Sequence, residues 1–85
     1  MSVEFIIRAV ADAQTIPRLF EHFALRNLIP AWVSAETVDD YIHITVRHTT
    51  MDDGIANMIA EKMRAAVLVA HVKIMMIAEQ GGDAV

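Results

Sequence analysis

The sequence predicts an α+β fold of the ferredoxin-like kind, a βαββαβ chain forming a four-stranded antiparallel sheet with both helices on one face. Three observations predict it. Several segments alternate apolar and polar residues with a period of two, the mark of a half-buried strand. Two others carry apolar residues three and four apart, the mark of an amphipathic helix. The connections between them are short, which suits the split βαβ pattern.

The first strand is expected over residues 2–10, with Val3, Phe5, Ile7 and Ala9 on one face and Glu4, Ile6, Arg8 and Val10 on the other. The polar break from Ala11 to Gln14 ends it. From Thr15 the period changes, and Ile16, Leu19, Phe20, Phe23 and Ala24 draw one apolar stripe along a helix. Thr15 or a nearby polar residue caps that helix, Pro17 fits its first turn, and Asn27 takes the left-handed closing position.

Residues 28–37 then read as a strand that Pro30 demotes to a sheet edge, where a missing N–H breaks no ladder. Asp39 and Asp40 make the turn into the next strand. Over residues 41–48, Ile42, Ile44 and Val46 point inward, while Tyr41, His43, Thr45 and Arg47 point outward. Thr49 or Thr50, followed by Asp52 and Asp53, starts the second helix, whose expected buried stripe is Met51, Ile55, Met58, Ile59 and Met63. Gly54 inside it costs about 1 kcal/mol relative to alanine. The last strand, residues 66–76, places Leu68, Ala70, Val72, Ile74 and Met76 on one face and Val67, Val69, His71, Lys73 and Met75 on the other.

Composition bounds the function. Eighty-five residues, 55% of them hydrophobic, make one small folded domain, taken as residues 1–78, with 79–85 as a flexible tail around Gly81 and Gly82. A chain of this size buries only about 60–65% of its unfolded surface, and with no cysteine to staple it a second copy is a cheap source of further core. A homodimer is therefore expected. The formal net charge of −4 repels a phosphate backbone, so nucleic acid is a poor partner. Glu4 and Arg8 interrupt what a signal peptide would need, and no apolar run approaches the ~18–20 residues of a membrane span. A cytoplasmic protein, free of the membrane, is expected.

Catalytic and metal-binding patterns are sparse. Of the four histidines, His43 and His71 share the sheet face turned away from the helices, but His48 points the other way and His22 sits on the first helix, so no metal site is expected. No Ser-His-acid order with a strained turn surrounds Ser2 or Ser34, and the loop 11–15 has no glycine to cradle a phosphate. Trp32 on an edge strand reads as a packing or dimer-contact residue, since the basic and aromatic strand motif of an RNA platform is missing. The methionines read as core filling. What remains is the uncovered sheet face, where Glu4, Arg8, His43, Arg47, His71 and Lys73 fall among Ile6, Val67 and Val69. Two readings of it stand: a solvated surface and an interaction face.

The loop and helix ADAQTIPRLFEHFALRNL, the paired strands after it and the closing strand VLVAHVKI resemble the ACT domain family, small βαββαβ modules that bind amino acids and regulate metabolic enzymes. Within it the chain is most similar to the short, one-domain form of the small regulatory subunit of acetolactate synthase. The resemblance implies a non-catalytic module without a cofactor of its own, docking on a thiamine-diphosphate-dependent large subunit in branched-chain amino-acid synthesis. It places effector binding where the loop between the first strand and the first helix meets a neighbouring subunit, here Asp12, Ala13, Gln14 and Thr15 with Asn27 and Leu28 after the helix. The family's Pro-Gly turn is absent from this loop. Asp12 suits an ammonium group or serves only as a turn residue, and both readings stay open. The partner-docking face would comprise Arg8, His43, Arg47, His71 and Lys73. The alternatives are a stand-alone amino-acid sensor homodimer and a small enzyme on the same scaffold.

Overall fold

The structure, a computed structural model, describes residues 2–77, so the expected tail at 79–85 lies outside the described residues. The chain runs β1 (Ser2–Val10), α1 (Thr15–Ala24), β2 (Trp32–Val38), β3 (Tyr41–His48), α2 (Asp53–Arg64) and β4 (Val69–Ile77). The strands form one antiparallel sheet in the order β2-β3-β1-β4. This is the ferredoxin-like arrangement the sequence predicts.

The core lies between the sheet and the two helices. Val3, Phe5, Ile7 and Ala9 of β1 and Ile42, Ile44 and Val46 of β3 are all buried, as the period-two pattern requires. Leu19 and Phe23 of α1 close on them, with Phe20 and Leu28 packed at the margin. Past the last helical residue of α1 the chain makes a Schellman-type stop: Leu28 N–H donates to the Phe23 carbonyl at 2.9 Å and Asn27 N–H to that of Ala24 at 3.0 Å. Asn27 takes φ 55° there, the left-handed conformation expected of it.

Four local expectations are corrected. Of the two readings for the cap of α1, Thr15 fails, being buried with its hydroxyl donating to the Val10 carbonyl at 2.6 Å; the nearby polar residue Gln14 holds the position, without a side-chain bond. Strand β2 starts at Trp32 and not at residue 28, because Leu28 is spent on the helix stop and the core margin. The cap of α2 is Asp52, not a threonine, and its carboxylate accepts from Ile55 N–H at 3.2 Å. A Cβ on Gly54 would stand 2.9 Å from that same Asp52 oxygen, so a larger residue there would displace the capping carboxylate. The buried stripe of α2 is Ala56, Ile59, Ala60 and Met63, with Met51 just before it, whereas Ile55 and Met58 are exposed. Small residues let the helix approach the sheet closely, so size of the apolar side chain misidentifies the buried face.

The fifth correction concerns β4, which begins at Val69 and not at residue 66. Arg8 pairs with His71 but Ala9 pairs with Val69, so the register shifts by one residue at Ala70. This bulge reverses the alternation ahead of it. Val69 therefore packs against the core instead of studding the open face, and Val67 lies in the preceding turn, almost wholly exposed.

Candidate functional site

The open face is built from alternate residues of four paired strands, and its register aligns them in rows. One row runs Trp32, Arg47, Glu4, Met75; the next Ser34, Thr45, Ile6, Lys73; the third Glu36, His43, Arg8, His71. All five residues expected on this face, Arg8, His43, Arg47, His71 and Lys73, are brought together there. Directly opposed residues stand about 4.5–5.5 Å apart at Cα, so Arg8 has an imidazole on either side.

Two arginines organise the surface. Arg47 donates to Glu4 Oε2 from Nε at 2.9 Å and from Nη2 at 2.6 Å, and its guanidinium lies 5.1 Å from the Trp32 ring centroid. Arg8 lies 5.1 Å from the Tyr41 ring centroid in the same manner, but among the described residues no carboxylate comes within ion-pair distance of it. Ile6, Arg8, His43, Thr45 and His71 line a shallow depression of about 400 Å³ between these groups. Neither ring stack was legible in the sequence, because Trp32–Arg47 and Tyr41–Arg8 depend on which strands lie side by side.

The expected effector residues divide between the two ends of α1. At the N-terminal end Asp12 Oδ1 accepts from Gln14 N–H at 2.8 Å, and the Asp12 carbonyl accepts from Thr15 N–H at 3.0 Å, a side-chain and main-chain turn that leads into the helix. Ala13 and Gln14 are exposed, whereas the Thr15 side chain is turned inward. Asn27 and Leu28 lie past the other end, about 15 Å away along a ten-residue helix. One chain alone therefore does not gather the six into a single site. A cleft that the sequence reading missed lies beside α1: Thr15, Arg18, Leu19 and His22 face Val67 and Leu68 across about 400 Å³. No spacing pattern marks it, since its far wall is the turn between α2 and β4.

His48 belongs to the core. It is 2% exposed, with its ring 4.5 Å from that of Phe23 and 6.0 Å from that of Phe5, and Nε2 has no hydrogen-bond partner among the described residues. Burial pushes its pKa below the ordinary 6.5, more than the backbone hydrogen bond at Ile29 raises it. His22 is lowered too, first by burial and then by Arg26. The unfolded chain consequently takes up these protons more readily, so stability is full above pH 6.5 and declines as pH falls below it. One such group contributes at most about 1.4 kcal/mol per pH unit. Urea midpoints should drop between about pH 7.5 and 5.5 in the natural chain and drop less in His48→Gln, with His22 supplying the remainder. Equal drops in both would assign the effect elsewhere.

Among the described residues no group of three or more His, Asp or Glu side chains is placed to hold a metal ion, and no helix is long and apolar enough to cross a membrane. The fold and its surface thus define a small α+β module with an uncovered, cation-bearing sheet face. The chain belongs to the ACT-like domain family, whose model matches residues 1–81. No curated protein matches it.

Solved structures agree on the fold. The ACT domain from GTP pyrophosphokinase of Chlorobium tepidum superposes with a TM-score of 0.76 at 8% identity, covering 88% of this chain and 97% of that one. The C-terminal domain of the MgtC protein from Mycobacterium tuberculosis gives 0.68 at 11% identity, over 87% of this chain and 84% of that one. The regulatory subunit of aspartate kinase from Thermus thermophilus, in its ligand-free form, gives 0.66 at 10% identity, over 88% of this chain and 50% of that one.

Proposed function

We propose that the chain is a non-catalytic, cytoplasmic regulatory module that pairs through its β2 edge and docks on a larger enzyme by its open sheet face. Membership of the ACT-like family over residues 1–81 is the observation that carries the reading. The sheet geometry supports how it would assemble. Its two edges differ. On β4 the bulge at Ala70 bends the strand, and Arg64 of α2 donates to the Val72 carbonyl from Nη2 at 2.9 Å and from Nε at 3.3 Å. Both features blunt an edge against further pairing. On β2 every residue from Trp32 to Val38 is exposed, the register is regular, and no proline interrupts it. An unprotected edge of this kind is a template for another strand.

In one chain Asp12 to Gln14 lie apart from Asn27 and Leu28, at the two ends of α1. A small amino-acid effector bound between chains fits that division, and the cleft beside α1 favours the stand-alone sensor as a second reading. The partner we propose is the thiamine-diphosphate-dependent large subunit of an acetolactate synthase type of enzyme, which would hold the cofactor and the chemistry. Regulation would then be a shift between partner states that contact the module differently. Affinity capture of the tagged chain from its source lysate tests this: the expected co-eluting chain is a thiamine-diphosphate enzyme. Recovery of the module alone would remove the subunit reading and leave the sensor.

A further inference from the structure

We infer that Arg8 is one half of a carboxylate-binding site on the open sheet face, the other half being supplied by a ligand. The inference comes from comparing the two arginines of that face. Arg47 is stacked on Trp32 and donates from two nitrogens of its fork to Glu4, which completes a ring–guanidinium–carboxylate arrangement. Arg8 is stacked on Tyr41 at the same 5.1 Å, but among the described residues the third member is missing. A planar guanidinium held against an aromatic ring keeps its N–H fork presented in a fixed direction, which suits two-point recognition of a carboxylate.

Among the described residues no acid of the same face can serve Arg8. Glu4 is occupied by Arg47 and lies four residues along β1, roughly 13 Å away at the rise of a strand. Glu36 stands in the same row but two strands over, roughly 10 Å away, with His43 between them. The immediate neighbours of Arg8 are donors or cations: His43 and His71 in its row and Lys73 diagonally, beside Ile6. The depression lined by Arg8, His43, Thr45, His71 and Ile6 holds about 400 Å³, ample for a carboxylate and a few carbons. In a chain of net charge −4, this concentration of cationic groups is local and directed.

A second copy centred on Arg8 does not fit. Such an isologous contact would set the Arg8 guanidinium against that of the second copy and His43 against His71. The site is also distinct in place from the β1–α1 loop. Its existence does not depend on the proposed function; only the source of the carboxylate, a free acid or an acidic side chain of the docked enzyme, rests on that reading.

The test is an amide-shift titration of the ¹⁵N-labelled full chain with succinate and, separately, with a hexaglutamate peptide, each repeated at about 0.3 M salt to screen non-specific attraction. The expected result is saturable shifts confined to Arg8, His43, His71, Lys73 and their strand neighbours with at least one probe, weakened about tenfold or more in Arg8→Gln. Saturation by succinate identifies a free carboxylate as the source; saturation by the peptide alone identifies a protein side chain. Arg8→Lys, which keeps the charge and loses the fork, should bind between the two. Should Arg8→Gln fail to fold, Tyr41→Leu replaces it, with the same weakening expected. No saturable shift with either probe, or titration of the variant indistinguishable from the natural chain, overturns the site. Since no enzyme partner is present, this outcome and that of the lysate capture are independent.

Discussion

Phe23→Ala should cost about 3–5 kcal/mol of folding stability, the largest loss expected of any single truncation in this chain. Phe23 is 1% exposed and sits where three other rings meet. Its centroid is 5.2 Å from that of Phe5 with the planes at 69°, 5.8 Å from that of Phe20 at 87°, and 4.5 Å from that of His48. Edge-to-face pairs of this kind add to the area buried. The Phe23 carbonyl also receives the Leu28 N–H that closes α1, so a collapse of the cavity would disturb the helix stop as well. A small domain has only about 5–15 kcal/mol of stability to lose, so the variant should be largely unfolded in mild urea where the natural chain is folded. Far-UV circular dichroism against urea measures it. A loss under ~1 kcal/mol would mean that Phe23 is not packed as described.

The strands whose burial is one-sided were legible in the sequence. β1 and β3 fall on the expected residues because Val3, Phe5, Ile7, Ile42, Ile44 and Val46 recur at every second position, with Ile6 the one apolar residue set between them. The misread ends share a cause: apolar residues were spent on something other than a strand. Leu28 closes α1 against Phe23, and the run before Val69 forms the turn out of α2. The bulge at Ala70 arises from pairing with β1, a contact more than sixty residues away in sequence, so no local pattern could mark it. For α2, alanine is ambiguous: Ala56 and Ala60 are buried by close helix–sheet approach while the larger Ile55 and Met58 remain outside.

The site shows the same division. The face shared by Arg8, His43, Arg47, His71 and Lys73 follows from parity along β1, β3 and β4 once the fold is recognised. What parity does not contain is the order of residues across the sheet. That order gives Arg47 its carboxylate and, among the described residues, leaves Arg8 without one. Nor could spacing reveal that Arg64, which reads as a basic residue at a helix end, would reach across to the Val72 carbonyl of an edge strand.

The claim on which the assembly rests, pairing through the β2 edge, has a direct test in solution mass. Strand β2 meets β3 through the two-residue turn at Asp39 and Asp40, with Asp39 at φ 54°. The residues that close such a hairpin, Val38 and Tyr41, exchange both backbone bonds, so alternate residues Val33, Ala35 and Thr37 direct theirs to the free edge. Proline at position 35 would remove an outward N–H and crowd the approach of a second strand while leaving the bonds to β3 in place. Val33→Lys would oppose pairing without a backbone change. Light scattering across a concentration series is the measurement, with melting curves to show that each variant folds. The account predicts that the natural chain approaches twice its 9.4 kDa mass and that both folded variants stay at the single-chain mass. A natural chain that remains a monomer throughout, or a folded Ala35→Pro that pairs as the natural chain does, would contradict it.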